Sequence, residues 1–495
     1  MFSAPRLRAL LFGAAFLTAL LPAAAVAAPS ARLAINAATL TPAYSLAVSD
    51  YTVRCGQPVA VSVNASPGIK VALDGADARS GSFTRTISLT PGQAFRIKVV
   101  SSRRRPAQTV RCLPADFPLW QVEKRGDPQA QWYMISPDMR ILGGPLPWIG
   151  EPYAAVVNGD GVPVWWFRDP VAGPMDVKLV GSNQIAWALF AYDEPSRVRN
   201  LDGTVARELH PTVGVFDFHE AMGSAADGGA LLVGGVPRNC PVVQSECVDL
   251  SPWGGPAEAN ILDNVIQKFD RNGRLVWSWS TRGHIAPEEA IRWIPHRSGA
   301  IGPRVMAGGQ LAYDIFHVNS VVEQGNGVIF TARHLDAAYR VRKSTGRIDW
   351  KLGGTPRAES LAIRPDPGPL GGPHDFRILS DGTMTIHDNG SFLGRSSRAL
   401  RFSVKAGTAK IIETVRDSRV KASLCCGSAR RMPGGNWVMT SGGGSNWVTE
   451  LTSKGRPVLT LTMPQELFTY RADAIEPGRL SAAALRAGMD AQAPR

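Results

Sequence analysis

Short stretches of alternating apolar and polar residues, each followed by a turn signal, run along most of the chain. In the first third, YTVRC, VAVSV, FTRTISL and FRIKVV are separated by glycine, proline and aspartate turns. Alternation with a period of two is typical of half-buried β-strands, because successive side chains point to opposite faces of a sheet. The pattern predicts a small β-sandwich over residues 31–118.

A repeat dominates the rest of the chain. One unit is a glycine-turn hairpin followed by tryptophan or another apolar residue, as in NGDGVPVWWF, LDGTVARELH, DRNGRLVWSW, KSTGRIDWKL, VKAGTAKIIE and TSKGRPVLTL. A second glycine hairpin, such as VGSNQIAWALF or LSDGTMTIHDN, interleaves with it. Two hairpins per repeat make a four-stranded sheet, and several such sheets make a propeller. We therefore predict an all-β fold, a six-bladed β-propeller over residues 119–475 preceded by the sandwich, with five or seven blades as alternatives.

The two ends of the chain fall outside these domains. Arg6 and Arg8 precede an apolar run that ends near the small residues AVA, so residues 1–27 are predicted to be a signal peptide. No other stretch is long and apolar enough to cross a bilayer. Residues 476–495 are predicted to be a C-terminal tail. The mature protein is expected to be exported, either periplasmic or secreted.

The six cysteines indicate disulfides, because an exported chain folds in an oxidising compartment. Two pairs are expected from similar contexts and short spacing, namely Cys55 with Cys112 and Cys240 with Cys247. The adjacent Cys425 and Cys426 form either a vicinal disulfide or two thiols. The spacings do not resemble a zinc site.

Charge and motif content exclude several classes of function. The formal net charge is +13, but the basic residues are scattered and no aromatic RNA-binding signature occurs, so nucleic acid is not an expected partner. The chain has no G-x-S-x-G elbow, no H-E-x-x-H helix and no phosphate-binding P-loop motif. Ordinary esterase, zinc protease and nucleotide-hydrolysing chemistry therefore have no support.

Polar residues recur at one phase of the repeat, where a strand leads into a glycine turn. They are His219 in FDFHEAM, His317 and Asn319 in FHVNSVV, His374 in PHDFRIL and Ser428 in CCGSARR. Since equivalent strand ends of a propeller meet at one mouth of its channel, we expect these side chains to converge there. Arg333, at the end of IFTARH, returns from its hairpin toward the same mouth.

Three imidazoles and a guanidinium at one mouth suit a tetrahedral oxyanion. Arginine offers a fork of donors to such a group, and a neutral histidine is both a nucleophile and a proton carrier. Two other histidines are left out of this site. His387 lies on a returning strand, outside the repeat phase, and is interpreted as structural. His334 should point to the opposite sheet face if its strand is regular.

The motifs FHVNSV, VIFTARH, PHDFRIL, MTIHDNG and GSARRMPGGNWV occur in an order that resembles the bacterial arylsulfotransferase family of exported six-bladed propellers, over roughly residues 150–470. The resemblance implies transfer of a sulfuryl group from a phenolic sulfate ester to a phenolic acceptor, without 3′-phosphoadenosine phosphosulfate. It also implies a sulfohistidine intermediate and neither metal nor nucleotide cofactor.

The resemblance implies a role for each matching residue. His374 corresponds to the nucleophile, and His317 with Asn319 to a sulfuryl-binding group. Arg333 corresponds to the sulfuryl-binding arginine, and His219 to the remaining active-site histidine, an expected acid and base for the phenolic oxygen. Ser428, placed by the repeat alone, is expected to be a further substrate contact.

Two other classes of function remain as alternatives. One is a non-catalytic exported propeller that binds a ligand or glycan at the cell surface, with the sandwich as a spacer or as a possible homodimer contact. The other is a propeller dehydrogenase or lactonase that uses a quinone or a metal. Carboxylate ligands at the channel mouth would favour this last class, and the sequence places mainly histidines there.

Overall fold

The computed structural model describes most of the chain, and its secondary structure is almost entirely β. The predicted signal peptide, residues 1–27, lies outside the described residues. Among the helices that are described, none is long and apolar enough to cross a membrane. The described residues are 33–101, 105–137, 139–140, 152–191, 193–296, 303–305, 311–464 and 467–495.

Two sheets with a common core form the N-terminal domain. Their strands are β1 (Leu33–Asn36), β2 (Asp50–Arg54), β3 (Val59–Ala65), β4 (Lys70–Leu73), β5 (Gly81–Ile87), β6 (Ala94–Val100) and β7 (Gln108–Leu113). One sheet has the order β1-β3-β5 and the other β2-β7-β6-β4. Strand β3 alternates buried and exposed residues along its length, and its buried side chains pack against those of the second sheet. The Cys55–Cys112 disulfide links the end of β2 to the neighbouring strand β7 of this second sheet.

The larger domain is built from many short strands. The first half contains β8 (Gln121–Lys124), β9 (Trp132–Ile135), β10 (Met139–Arg140), β11 (Tyr153–Asn158), β12 (Pro163–Arg168), β13 (Pro174–Val180), β14 (Gln184–Leu189), β15 (Ser196–Asn200), β16 (Val205–Leu209), β17 (Val215–Phe216), β18 (Gly223–Ser224), β19 (Ala230–Pro237), β20 (Leu262–Phe269), β21 (Leu275–Ser280), β22 (Pro303–Val305) and β23 (Leu311–Tyr313). The second half contains β24 (Val318–Gln324), β25 (Gly327–Ala332), β26 (Ala337–Arg342), β27 (Ile348–Gly353), β28 (Ala362–Arg364), β29 (Pro373–Ile378), β30 (Met384–Asp388), β31 (Arg398–Lys405), β32 (Thr408–Val415), β33 (Ser428–Arg431), β34 (Trp437–Thr440), β35 (Trp447–Leu451), β36 (Pro457–Thr462), β37 (Leu467–Phe468) and β38 (Asp473–Ile475).

These strands form antiparallel units of four in the described part of the chain. From the innermost strand outward, the units are β38-β9-β11-β12, β13-β14-β15-β16, β18-β19-β20-β21, β24-β25-β26-β27, β29-β30-β31-β32 and β33-β34-β35-β36. The outer hairpin of each unit is one of the hairpins predicted from the glycine repeat. The predicted all-β, propeller-like fold is confirmed, and the blade count of six stays a prediction.

The two ends of the larger domain are held together by strand pairing. Strand β38, near the C-terminus, supplies the innermost strand of the unit that contains β9. Strand β8, which follows the sandwich, pairs with β36 at the outer edge of the last unit. Each end of the chain therefore completes a sheet begun by the other end, which closes the succession of units.

Bulges mark the start of several innermost strands. Asp176, His317 and Asp375 have φ angles of 54°, 55° and 55°, in the left-handed region. The ladders of β13, β24 and β29 shift register beside these residues. A bulge bends its strand and re-aims the neighbouring side chains. The same type of bulge thus recurs on the innermost strands of three units. Two of the candidate histidines, His317 and His374, lie at these bulges.

Two insertions and several short 3-10 helices connect the strands. The Cys240–Cys247 disulfide closes a loop in the first insertion, and Trp293 in the second insertion is fully buried. The described 3-10 helices are Gln244–Glu246, Ser251–Trp253, Pro287–Ala290, Ile294–His296, Arg333–Leu335 and Gly442–Gly444.

The predicted C-terminal tail contains an α-helix, α1 (Ala482–Gln492), whose N-cap is the Ser481 hydroxyl. Buried side chains on one face of α1 join the core of the first unit, next to β12. On the other side, Arg486 forms two hydrogen bonds with the carboxylate of Asp50, and Asp490 pairs with Arg111 at 2.7 Å. The helix therefore contacts both domains.

We expect Gly488→Leu to release α1, because a Cβ at Gly488 would lie 2.5 Å from the carbonyl oxygen of Leu201. Overpacking of this kind costs about 1–3 kcal/mol. Hydrogen exchange of the α1 amides should become faster, while the strands of the larger domain keep their protection. The matched control is Ala487→Leu on the exposed face, and equal protection of α1 in both variants would contradict the close packing.

Candidate functional site

Three of the predicted histidines meet at one end of the innermost strands. His374 is the second residue of β29, His317 directly precedes β24, and His219 lies between β17 and β18. The ring centroids of His219 and His317 are 4.0 Å apart, and those of His317 and His374 are 6.5 Å apart. All three side chains are buried. Repeat-equivalent positions on three units thus form one histidine cluster.

The environment of His374 sets its protonation and its tautomer. Its Nδ1 lies 3.0 Å from the carbonyl oxygen of Gly372, which can only accept, so Nδ1 carries the proton and Nε2 carries the lone pair. Burial lowers the pKa of His374 well below its usual value, and the cations Arg471 and Arg333 lower it further. These effects favour a neutral imidazole whose Nε2 is unprotonated.

His219 and His317 have a different partner on Nδ1. The Nδ1 of His219 bonds a carboxylate oxygen of Asp217, and the Nδ1 of His317 lies 2.5 Å from Oδ2 of Asp314. A carboxylate on one ring nitrogen orients the imidazole and stabilises a proton on it. Nδ2 of Asn389 also lies 3.1 Å from Nδ1 of His374, but it donates its two hydrogens to the carbonyl oxygens of Gly372 and Cys426. The cluster therefore combines two carboxylate-paired histidines with one histidine that has no carboxylate partner on Nδ1.

Arg333 is held from three sides. Its Nη1 donates to Nε2 of His334 at 2.6 Å, its Nη2 donates to the carbonyl oxygen of Leu424 at 2.5 Å, and its guanidinium lies 4.5 Å from the centre of the Trp293 ring. A guanidinium over an aromatic face is stabilised by a cation–π interaction. The fork of Arg333 is thus fixed beside the histidine cluster.

The expectation that His334 points to the opposite sheet face is wrong. Strand β25 ends at Ala332, and Arg333–Leu335 form a 3-10 turn, so the two-residue alternation of a strand stops before His334. The His334 ring lies 4.5 Å from that of His317, and its Nδ1 bonds the carbonyl oxygen of Asp314 at 2.5 Å. Burial lowers the pKa of His334 well below its usual value, with His317 and Arg333 adding to the effect.

Asn319 and Ser428 lie next to the cluster, but their polar atoms bond neighbouring strands. Nδ2 of Asn319 donates to the carbonyl oxygen of Pro373 at 2.9 Å, and its Oδ1 accepts from Thr331 at 2.7 Å. The Ser428 hydroxyl donates to the carbonyl oxygen of Ala472 at 3.0 Å. In this structure both side chains join innermost strands to each other, and a direct contact with substrate stays a prediction for each.

Sequence reasoning missed Tyr470 and Arg471, which precede the closing strand β38. The Tyr470 ring lies 6.3 Å from that of His219 and 6.4 Å from that of His374, and burial raises its pKa. Arg471 is fully buried and donates to the carbonyl oxygen of Asn319. The repeat did not reveal them because the strand that pairs with β38 lies near the other end of the domain.

His387 lies across the ladder from His374. It is fully buried, its Nε2 is 3.3 Å from Oδ1 of Asn389, and burial lowers its pKa to about 4. Gly427, at φ 87°, packs against the same ring, and a Cβ there would lie 2.6 Å from Nε2. The loop around Gly427 also contains the Cys425–Cys426 bond, which is a vicinal disulfide.

The residues of this site lie within a segment that matches a known family. The family model of Arylsulfotransferase (ASST) matches residues 197–463, which is more than half of the chain. The chain belongs to the arylsulfotransferase family. This match includes His219, His317, Arg333 and His374, together with the motifs that surround them. No curated protein matches the chain.

Three solved structures illustrate a distant similarity to this arylsulfotransferase-family chain. A chain of the nidogen/laminin complex is 10% identical, covers 69% of this chain and 97% of its own length, and has a TM-score of 0.35. Hsv2 of Kluyveromyces lactis is 10% identical, with 80% and 95% covered and a TM-score of 0.32. A putative 6-phosphogluconolactonase of Bacteroides uniformis is 12% identical, with 68% and 82% covered and a TM-score of 0.34.

One group of side chains in the site has the composition of a metal site. Asp314, His317 and His334 offer ligand atoms within 4.8 Å of one another. Oδ2 of Asp314 and Nδ1 of His317 bond each other, and both ring nitrogens of His334 have hydrogen-bond partners, Nε2 with the Arg333 guanidinium. A metal ion there would replace these bonds and lie next to a fixed positive charge. In this arylsulfotransferase-family chain, the three side chains therefore fit a hydrogen-bond network that positions Arg333 better than they fit a metal centre.

We expect the protein to lose stability as the pH falls from 7 to 5, because His387 is held neutral at a folded pKa of about 4. Below the unfolded pKa of about 6.5 the unfolded chain binds a proton that the folded chain does not, so stability falls with pH. The loss at pH 5 is roughly 2 kcal/mol for this residue.

The midpoint of thermal unfolding, measured at both pH values, checks this expectation. His387→Gln removes the titrating group and should show a smaller difference between the two midpoints than the unchanged protein. His284→Gln, at an exposed histidine, is the matched control. An unchanged difference in His387→Gln would show that His387 is not held neutral.

Proposed function

We propose that the protein transfers a sulfuryl group from a phenolic sulfate ester to a phenolic acceptor, with His374 as the nucleophile and without a nucleotide cofactor. The family match supports aryl sulfotransferase activity in general. The observation that carries the proposal is the neutral His374, whose Nε2 has the lone pair while its neighbours are carboxylate-paired histidines and a fixed arginine. Protonation would remove that lone pair, so the lowered pKa preserves the nucleophile.

The first step forms a bond between Nε2 of His374 and the sulfur of the aryl sulfate. The bond between sulfur and the phenolic oxygen breaks, and its electron pair leaves with that oxygen. A proton on His219 is transferred to the leaving oxygen, so a neutral phenol departs. The sulfuryl group remains on the imidazole, whose Nδ1 proton stays bonded to Gly372.

Charge on the sulfuryl oxygens is stabilised by donors that are already in place. Arg333 offers a planar fork, which matches two oxygens of a tetrahedral oxyanion. His317, whose Nδ1 bonds Asp314, can donate from its other nitrogen when protonated. Donors that need no rearrangement during the reaction contribute most in a buried site, because water does not compete there.

The second step reverses the first with a new phenol. The acceptor oxygen attacks sulfur, its proton goes to His219, and the bond between sulfur and Nε2 breaks. His374 returns to the neutral imidazole. Both steps use one set of residues, and the protons balance over a full cycle. An exported enzyme of this kind works on phenols outside the cytoplasm, and its disulfides fit that location.

We expect the mature protein to release nitrophenolate from 4-nitrophenyl sulfate in a burst of about one equivalent when no acceptor is present. The burst reports formation of the sulfohistidine. Steady turnover should then appear when phenol is added. His374→Ala should lose both burst and turnover, by at least about 10³-fold. Stopped-flow absorbance at the nitrophenolate band measures both phases.

His284→Gln, at an exposed histidine outside the cluster, is the control and should keep the burst. A sulfuryl group on His374, identified by mass spectrometry of peptides kept at alkaline pH, would support the intermediate. Full activity of His374→Ala would reject the proposed nucleophile. No turnover with a panel of phenols would reject the reaction itself.

A second variant pair tests whether His334 positions Arg333. His334→Phe keeps the ring shape but removes the acceptor for Nη1 of Arg333, whereas His334→Gln keeps an acceptor there. We expect the burst rate of His334→Phe to fall roughly 10–100-fold, and His334→Gln to recover most of it. Equal rates in the two variants would show that the hydrogen bond to Arg333 has no role in the transfer.

A further inference from the structure

A cavity lies further along the innermost strands than the histidine cluster. Its volume is about 490 Å³. Its wall includes the turn glycines Gly181 and Gly228, which follow the innermost strands of two units. It also includes Arg377, three residues beyond His374 on β29, which corresponds to about 10 Å along a strand. We call this space the distal cavity.

Cationic side chains from three units, and from the segment that follows β38, converge on the distal cavity. They are Lys178, Arg207, Arg377, Arg430 and Arg479. Among the described residues that line it, the acidic ones are Glu220 and Asp473. The wall therefore has a clear excess of positive charge, and a concave surface of one charge concentrates ligands of the opposite charge.

Buried carboxylates fix three of these cations from behind. Oδ1 of Asp375 lies 3.0 Å from Nη2 of Arg377 and 2.9 Å from Nη2 of Arg430, and Asp375 is fully buried. Asp176, which is also buried, pairs with Lys178 at 2.5 Å. The carboxylates are inaccessible, whereas the three cationic side chains remain 10–18% exposed. Two acidic residues of the wall also pair with these cations, Glu220 with Lys178 and Arg377, and Asp473 with Arg430. The three cations are therefore held in place by carboxylates on more than one side, and the remaining positive charge of the wall comes from its other two arginines.

The other two cations have no such partner. Neither Arg207 nor Arg479 forms an ion pair with a residue of the described chain. Arg207 is half-buried and Arg479 is exposed, and they lie on separate segments at the rim of the cavity. These two arginines leave the wall with positive charge that no carboxylate of the described chain pairs with, and an anion within the cavity would offset it.

We propose that the distal cavity binds a small organic or inorganic molecule with two or more anionic oxygen groups, such as a polycarboxylate or a polyphosphate. The volume is in the range of small-molecule sites and exceeds what a single oxyanion fills. Anionic groups at separate points of one ligand match donors that come from separate units. The proposal does not depend on the sulfuryl transfer.

Calorimetric titration with citrate and with pyrophosphate, at constant ionic strength, tests the proposal on the mature protein. We expect saturable binding of at least one of them at one site per chain. Removal of both rim cations in Arg207→Ser/Arg479→Ser should weaken binding roughly tenfold or more, since hydrogen bonds to charged groups contribute most. Arg207→Lys/Arg479→Lys retains the charge and should recover part of the affinity.

Two control variants establish whether the probes bind in the distal cavity. Lys454→Ser/Arg456→Ser removes the same charge from an exposed turn and should bind like the unchanged protein. His374→Ala should also retain binding, because His374 is not part of the wall of this cavity. No saturable binding of either probe would overturn the proposal. Equal weakening in the exposed-turn control, or loss of binding in His374→Ala, would overturn it as well.

Discussion

The buried ion pairs of Arg471 are the interaction on which the centre of the molecule depends. Its Nη1 lies 3.0 Å from Asp176 and 2.9 Å from Glu220, and its other amino group bonds the backbone of Asn319. Burial opposes the charge of Arg471, but Asp176 and the other nearby anions raise its pKa well above the usual value. A buried charge without these partners would be very costly. One guanidinium thus joins the closing strand to innermost strands of neighbouring units.

The positive charge of Arg471 also affects the protonation of the histidine cluster. Arg471 and Arg333 disfavour a proton on His374, while the carboxylates of Asp217 and Asp314 are directed at the other two histidines. Imidazoles a few ångströms apart therefore have different environments, although they occupy equivalent positions of the repeat. The separation of roles arises from what bonds Nδ1 in each case, a carbonyl or a carboxylate.

The repeat allowed the hairpins and the convergence of the histidines to be predicted, because glycine turns and two-residue alternation are local properties. The partners of those histidines were not predictable in the same way. Asp217 and Asp314 are close in sequence to His219 and His317. The conformation of the loop is what brings each carboxylate to its histidine ring. His334 was misplaced because a 3-10 turn replaces the expected strand end, and Tyr470 lies on a segment brought in from the far end of the domain. The local residue pattern thus predicts the strands well. It does not predict the conformation of loops or the pairing of strands that are far apart in the sequence.

The closing strand β38 has a consequence for biosynthesis. A ribosome makes the chain from the N-terminus, so Tyr470, Arg471 and β38 are made after the strands that they join. Until they emerge, β9 lacks its inner partner and the innermost strands lack their common cation. The earlier units can form as local hairpins without this segment, but the candidate site can assemble only once the segment through β38 is present. A chain that stops before Tyr470 would keep most of its sheets and lack the contacts that join them at the centre.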